Sequence, residues 1–149
     1  MSPTESSTSA TIDSVVTTFR GAVVETAPVT IPSPEALDVE TRFTLHAPPA
    51  SRATLYVCVL ETPSSIGAGN CVGVSSTAAE FQQRNNIVPV GVSLFKTDGV
   101  ARTTSYVYVA LAEGGFPWIP AGSPPRTGDT VAGSRVLATT QLPRMVTFR

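Results

Sequence analysis

From Leu37 to Ala47 the chain alternates strictly. Val39, Thr41, Phe43, Leu45 and Ala47 fall on one face, and Glu40, Arg42, Thr44 and His46 on the other. A strand turns successive side chains to opposite faces, so this pattern predicts a half-buried strand. Pro48-Pro49 ends it. Ala53 to Leu60 (ATLYVCVL) is apolar at nearly every position, as a central strand covered on both faces requires. Alternation returns from Ile87 to Lys96, with Val88, Val90, Val92 and Leu94 on one face. Asp98-Gly99 then predicts a tight hairpin, because glycine accepts the positive φ of a type I′ turn. Ala101 to Ala112 is the expected return strand, with Tyr106 and Tyr108 sharing a face.

Other segments are read from weaker signals. Ser14 to Ile31 is rich in β-branched residues, with a break near Ala27-Pro28. Thr62 to Asn70 is a loop by composition, and Cys71 to Val74 a short strand. Residues 76–84 carry the one helix signal: Ser76 or Thr77 caps it and Glu80 lies in its first turn. Thr130 to Gln141 is a strand, and Met145 to Arg149 a short closing one after Pro143. Residues 1–14 are polar and form an expected N-terminal arm, which has too little apolar surface to offset its own ordering entropy. Contacts that order such an arm are expected from neighbouring subunits.

About eight strands in a chain with 13 prolines and 11 glycines predict an all-β fold: residues 15–149 as a single antiparallel β-sandwich, or a jelly roll or barrel. Ser105 to Leu111 (SYVYVAL) resembles the tyrosine-bearing strand of immunoglobulin-like sandwiches. The Cys…Trp…Cys spacing of those domains is absent, and the Asp98-Gly99 hairpin is expected to keep its two strands in one sheet. A jelly roll fits as well, and no family is assigned.

Charge changes the picture by its scarcity. Charged residues are 14% of the chain against a usual quarter or so, with a net charge of −1 and no run of like sign. Nucleic-acid binding, which calls for a basic patch, is therefore not expected. Nor is a membrane partner, since no apolar stretch approaches the ~18 residues of a span. A lightly charged surface suits contact with other protein, and so does the choice of Arg for nine of the ten basic residues. The polar opening segment lacks the basic and apolar regions of an export leader. On that ground Cys58 and Cys71 are expected as two free, buried thiols, with a disulfide between them as the alternative.

Residues that could carry chemistry are few. His46 is the one histidine and sits on the polar face of a strand. There is no Gly-x-Ser-x-Gly elbow, and Gly67-Ala68-Gly69-Asn70 lacks the helix and lysine of a phosphate loop. No catalytic residue, metal site or cofactor is expected. Two segments suit contact instead. The loop from Gly114 to Asp129 sets Phe116, Trp118, Ile119 and Arg126 among prolines, which lower the entropy lost on binding. Arg126 precedes Thr127-Gly128-Asp129, so this is not an Arg-Gly-Asp motif. The arm offers Ile12, Val15 and Val16 for strand addition onto a neighbour. Together these predict a non-enzymatic structural protein of a large homo-oligomeric assembly, such as a decoration or minor coat protein of a virus or phage particle. The alternative is a secreted or surface-displayed sandwich that binds a protein or glycan through the 114–129 loop.

Overall fold

A computed structural model describes residues 5–6, 10–23, 29–31, 36–45, 52–62, 65–77, 86–92, 106–114, 123–131, 133–142 and 146–148. Its elements are all strands: β1 (Glu5–Ser6), β2 (Ala10–Phe19), β3 (Ala22–Val23), β4 (Val29–Ile31), β5 (Leu37–Leu45), β6 (Arg52–Thr62), β7 (Ser65–Thr77), β8 (Asn86–Val92), β9 (Tyr106–Glu113), β10 (Thr130–Val131), β11 (Ser134–Leu142) and β12 (Val146–Phe148). They form two antiparallel sheets. The larger runs β1-β11-β9-β6-β7, with β10 also on β11; the smaller runs β3-β2-β5-β8. A short parallel pair joins β12 to β4.

The two sheets share one apolar core, which makes the fold sandwich-like. Ile12, Leu37, Val39, Phe43, Leu45 and Val92 come from the smaller sheet; Leu55, Val57, Val109, Leu111 and Leu137 meet them from the larger. Each large side chain so buried contributes about 1.5–3 kcal/mol relative to exposure. In β5 the alternation read from the sequence is realised: residues 37, 39, 41, 43 and 45 are buried, and Asp38 and Arg42 are exposed. In β6 every residue from Ala53 to Leu60 is buried, because this strand lies between β9 and β7 and is covered on both faces. Ala47, His46 and Leu94 lie outside the described residues.

The N-terminal boundary differs from expectation. Residues 10–14 belong to β2, which pairs with β5, and Ala10, Ile12 and Val15 are buried in the chain's own core. A bulge explains how. The register shifts between Ile12 and Ser14, so Asp13 and Ser14 are both exposed and the inward phase resumes at Val15. The carboxylate of Asp13 accepts a 2.7 Å hydrogen bond from the Thr44 hydroxyl. Ahead of β2, β1 pairs with β11 of the other sheet, so the first strands hold both sheets of one chain. β2 ends in a two-residue turn. Arg20 (φ 52°) and Gly21 (φ 80°) are both left-handed, as a type I′ turn requires, and the Arg20 guanidinium lies 4.9 Å from the Phe19 ring centre.

Four further expectations are corrected. Most of the segment expected as a loop, Thr62 to Asn70, is strand: β7 spans Ser65–Thr77, pairs with β6 at Ser65 and Ile66, and pairs again in continuous register from Cys71 to Thr77 after an irregularity over residues 67–70. Ser76 and Thr77 are therefore strand rather than helix cap, and the rest of the expected helix lies outside the described residues. β8 and β9 do not share a sheet. β8 pairs with β5, and β9 with β6 and β11, so the described strands on either side of Asp98-Gly99 belong to different sheets; Asp98-Gly99 itself lies outside the described residues. Finally, Thr130 to Gln141 is a hairpin rather than one strand, folded at Gly133 (φ 83°).

Candidate interaction surfaces

The outer face of the larger sheet is apolar as well. Tyr56, Cys58 and Leu60 of β6 and Tyr108, Ala110 and Ala112 of β9 form a second buried cluster, flanked by Cys71, Tyr106 and Val131. Cys58 and Cys71 face each other in the β6–β7 register and are joined by a disulfide. This corrects the expectation of free thiols. Thirteen residues apart in sequence, the two sit on adjacent antiparallel strands because the segment between them is a hairpin, not a loop. Beside them Tyr56 pairs with Gly73, and a Cβ at Gly73 would come within 3.0 Å of the Tyr56 ring. Burial raises the Tyr56 phenol above its ordinary 10, and a hydrogen bond with the Thr54 side chain offsets part of this.

The described parts of the 114–129 loop are tied to this face. The Tyr108 hydroxyl donates to the Pro125 carbonyl at 2.6 Å, and the Thr54 hydroxyl to the Gly114 carbonyl at 2.6 Å. Arg126 to Asp129 form a turn: the Asp129 N–H donates to the Arg126 carbonyl at 3.0 Å, with Gly128 at φ 94° in the position that a type II turn reserves for glycine. Gly128 and Asp129 then both oppose Val136, a bulge that leads the chain into β10. The Asp129 carboxylate accepts from the Arg126 N–H at 2.9 Å, so this acid closes its own turn. Arg126 is exposed, while Pro125 is buried under the turn. Phe116, Trp118 and Ile119 lie outside the described residues.

The arm residues fare differently. Ile12 is 2% exposed and Val15 8%, both facing the core, so neither is available to a neighbouring subunit. Val16 alone of the three is partly exposed, since it points away from Val15 on the same strand.

A surface not anticipated from sequence is the free edge of β7. β7 ends the larger sheet, with β6 on one side and no strand on the other among the described residues. The Cys58–Cys71 pair has a Cα–Cα distance of 4.1 Å, the close spacing of a non-hydrogen-bonded antiparallel pair. By the same parity Gly73 and Ser75 share that setting, so the N–H and C=O groups of Cys71, Gly73 and Ser75 point to the open edge. Val72, on the alternate face, is 41% exposed. The signal was present in sequence, as thirteen residues (SIGAGNCVGVSST) without charge or proline, but their glycines read as loop.

Among the described residues no group of three or more His, Cys, Asp or Glu side chains is placed to hold a metal ion. Comparison with protein families, with curated proteins and with solved structures finds no match.

Proposed function

We propose that this chain is a non-enzymatic structural protein that works through protein contact, as a subunit of a larger assembly such as a virus or phage particle. The observation that carries the proposal is the β7 edge, an uncharged thirteen-residue strand with an unpaired backbone row among the described residues. Edges of monomeric β proteins are ordinarily blunted by charge, proline or brevity. The scarcity of charge over the whole chain points the same way. Size-exclusion chromatography with light scattering tests it: stable oligomers are expected at micromolar concentration, and a strict monomer at 100 μM, on the order of a weak-complex dissociation constant, refutes it.

A second reading is favoured by the disulfide, which belongs to oxidising compartments. On it, the chain is an extracellular immunoglobulin-like sandwich that binds through the 114–129 loop. Strand order supports the architecture. Among the seven long strands, β2, β5 and β8 share one sheet and β6, β7, β9 and β11 the other. These are the positions of strands A, B and E against C, C′, F and G in immunoglobulin-type sandwiches, with SYVYVAL falling on F. Two features depart from that pattern. The disulfide lies within one sheet rather than between sheets, and Tyr108 binds a carbonyl downstream rather than upstream. Trp118→Ala separates the readings: partner capture is lost on the second and self-assembly is retained on the first.

A further inference from the structure

We infer that the β7 edge pairs with the β7 edge of a second copy, antiparallel about a two-fold axis, joining two larger sheets into one continuous sheet. The inference rests on the protein-contact reading above and names its partner. Four observations carry it. The outward N–H and C=O groups of Cys71, Gly73 and Ser75 form a regular donor–acceptor row. The strand has no charge, so placing it against its own copy creates no repulsion. The other long edges are blunted: β8 carries Pro89; β2, which β3 covers only at Thr18 and Phe19, carries exposed Asp13 in a bulge; and β11 is partly covered by β10 and β1. Exposed Val72 needs a cover. A two-fold axis through Gly73 provides one, because it sets Val72 opposite Val74 of the second copy, and Val74 already packs against the core. Such an isologous contact closes on itself, so the expected species is a dimer.

Two variants and one direct measurement test it on the full chain. Val72→Lys places like charges across the two-fold contact, where such juxtaposition is costly. Ser75→Pro removes an outward N–H while leaving the β6–β7 ladder its bonds. Each is expected to weaken the dimer by about tenfold or more in sedimentation equilibrium, with far-UV circular dichroism unchanged. Ile87→Lys, at an exposed apolar position on β8, leaves the dimer intact. In the wild type, amide exchange at Gly73 and Ser75 slows as concentration rises, which needs no variant to fold. A wild-type oligomer that resists both substitutions, with those amides exchanging at a concentration-independent rate, overturns the β7 contact while the protein-contact reading stands. A wild type monomeric throughout the concentration range overturns both.

Discussion

Replacing both cysteines, Cys58→Ala with Cys71→Ala, should lower stability by about 3–4 kcal/mol. The larger part is chain entropy. The bond closes a loop with a sequence separation of 13, and loops of that size contribute about 3 kcal/mol by restricting the unfolded chain. The smaller part, about 1 kcal/mol, is the space left by the Cys58 sulfur, which is fully buried in the outer-face cluster. Against a typical total of about 5–15 kcal/mol the loss is large. At about 2–4 °C per kcal/mol for a chain of this size, the melting temperature should fall by roughly 6–16 °C. Urea unfolding followed by circular dichroism measures it. The same experiment in dithiothreitol supplies the internal check: reduction should remove most of the difference between wild type and variant, since both then lack the bond. The denaturant slope of the variant should also rise, because an uncrosslinked unfolded chain exposes more surface. Two reactive thiols per chain in urea without reductant would refute the reasoning, as would midpoints that coincide.

Three other substitutions probe the two faces of the larger sheet and the core. Thr41 is fully buried with its hydroxyl unpaired among the described residues, so Thr41→Val, which keeps the shape, should raise stability by about 1 kcal/mol in urea unfolding. Tyr108→Phe strands the Pro125 carbonyl, and should cost about 1–2 kcal/mol and speed amide exchange at Arg126, Gly128 and Asp129 more than in β5. Tyr56 binds its proton more tightly folded than unfolded, because burial disfavours the phenolate. Its contribution is therefore complete below pH 10 and is lost as pH rises through the folded value. Tyr56→Phe should flatten the alkaline fall in melting temperature; an unchanged slope counts against this assignment.

The parts of the fold legible in the sequence were those where one physical rule acted alone. β5 alternates because one face meets the core and the other water, and β6 does not alternate because it is covered twice. The misreadings arise where two rules compete. Glycine in Ser65–Asn70 signals a loop, and the register does break over residues 67–70, yet β6 pairs with Ser65 and Ile66 before the break and with Cys71 to Thr77 after it, so the segment stays in the sheet. Asp98-Gly99 carries a local turn signal, but sheet membership of β8 and β9 is decided by distant partners, β5 and β6, which no local pattern encodes. The bulge at Asp13 interrupts the period of two, so residues 10–14 do not show the alternation of a core strand in sequence. The outer-face cluster is legible only in part. β6 reads as covered on both faces, but Tyr106 and Tyr108 of β9 are compatible with a solvated face, and the Tyr108–Pro125 hydrogen bond shows that their face is covered too.

The disulfide and the free edge bear on one another. β7 contains Gly67, Gly69 and Gly73, residues that weaken a strand because they lose the most backbone freedom and pack no side chain. An edge strand of that composition, held by one ladder alone, frays readily. The Cys58–Cys71 bond fixes it to β6 next to the residues whose outward groups form the open row, and the Tyr56 ring lies against Gly73 where a side chain would otherwise pack. Reduction should therefore weaken the proposed β7–β7 dimer at temperatures where the fold itself remains intact. Sedimentation equilibrium at 20 °C with and without dithiothreitol reads this directly. A higher dissociation constant after reduction, with unchanged circular dichroism, is the expected result. An unchanged constant means that the ladder with β6 suffices to hold the edge, and that the bond serves stability alone.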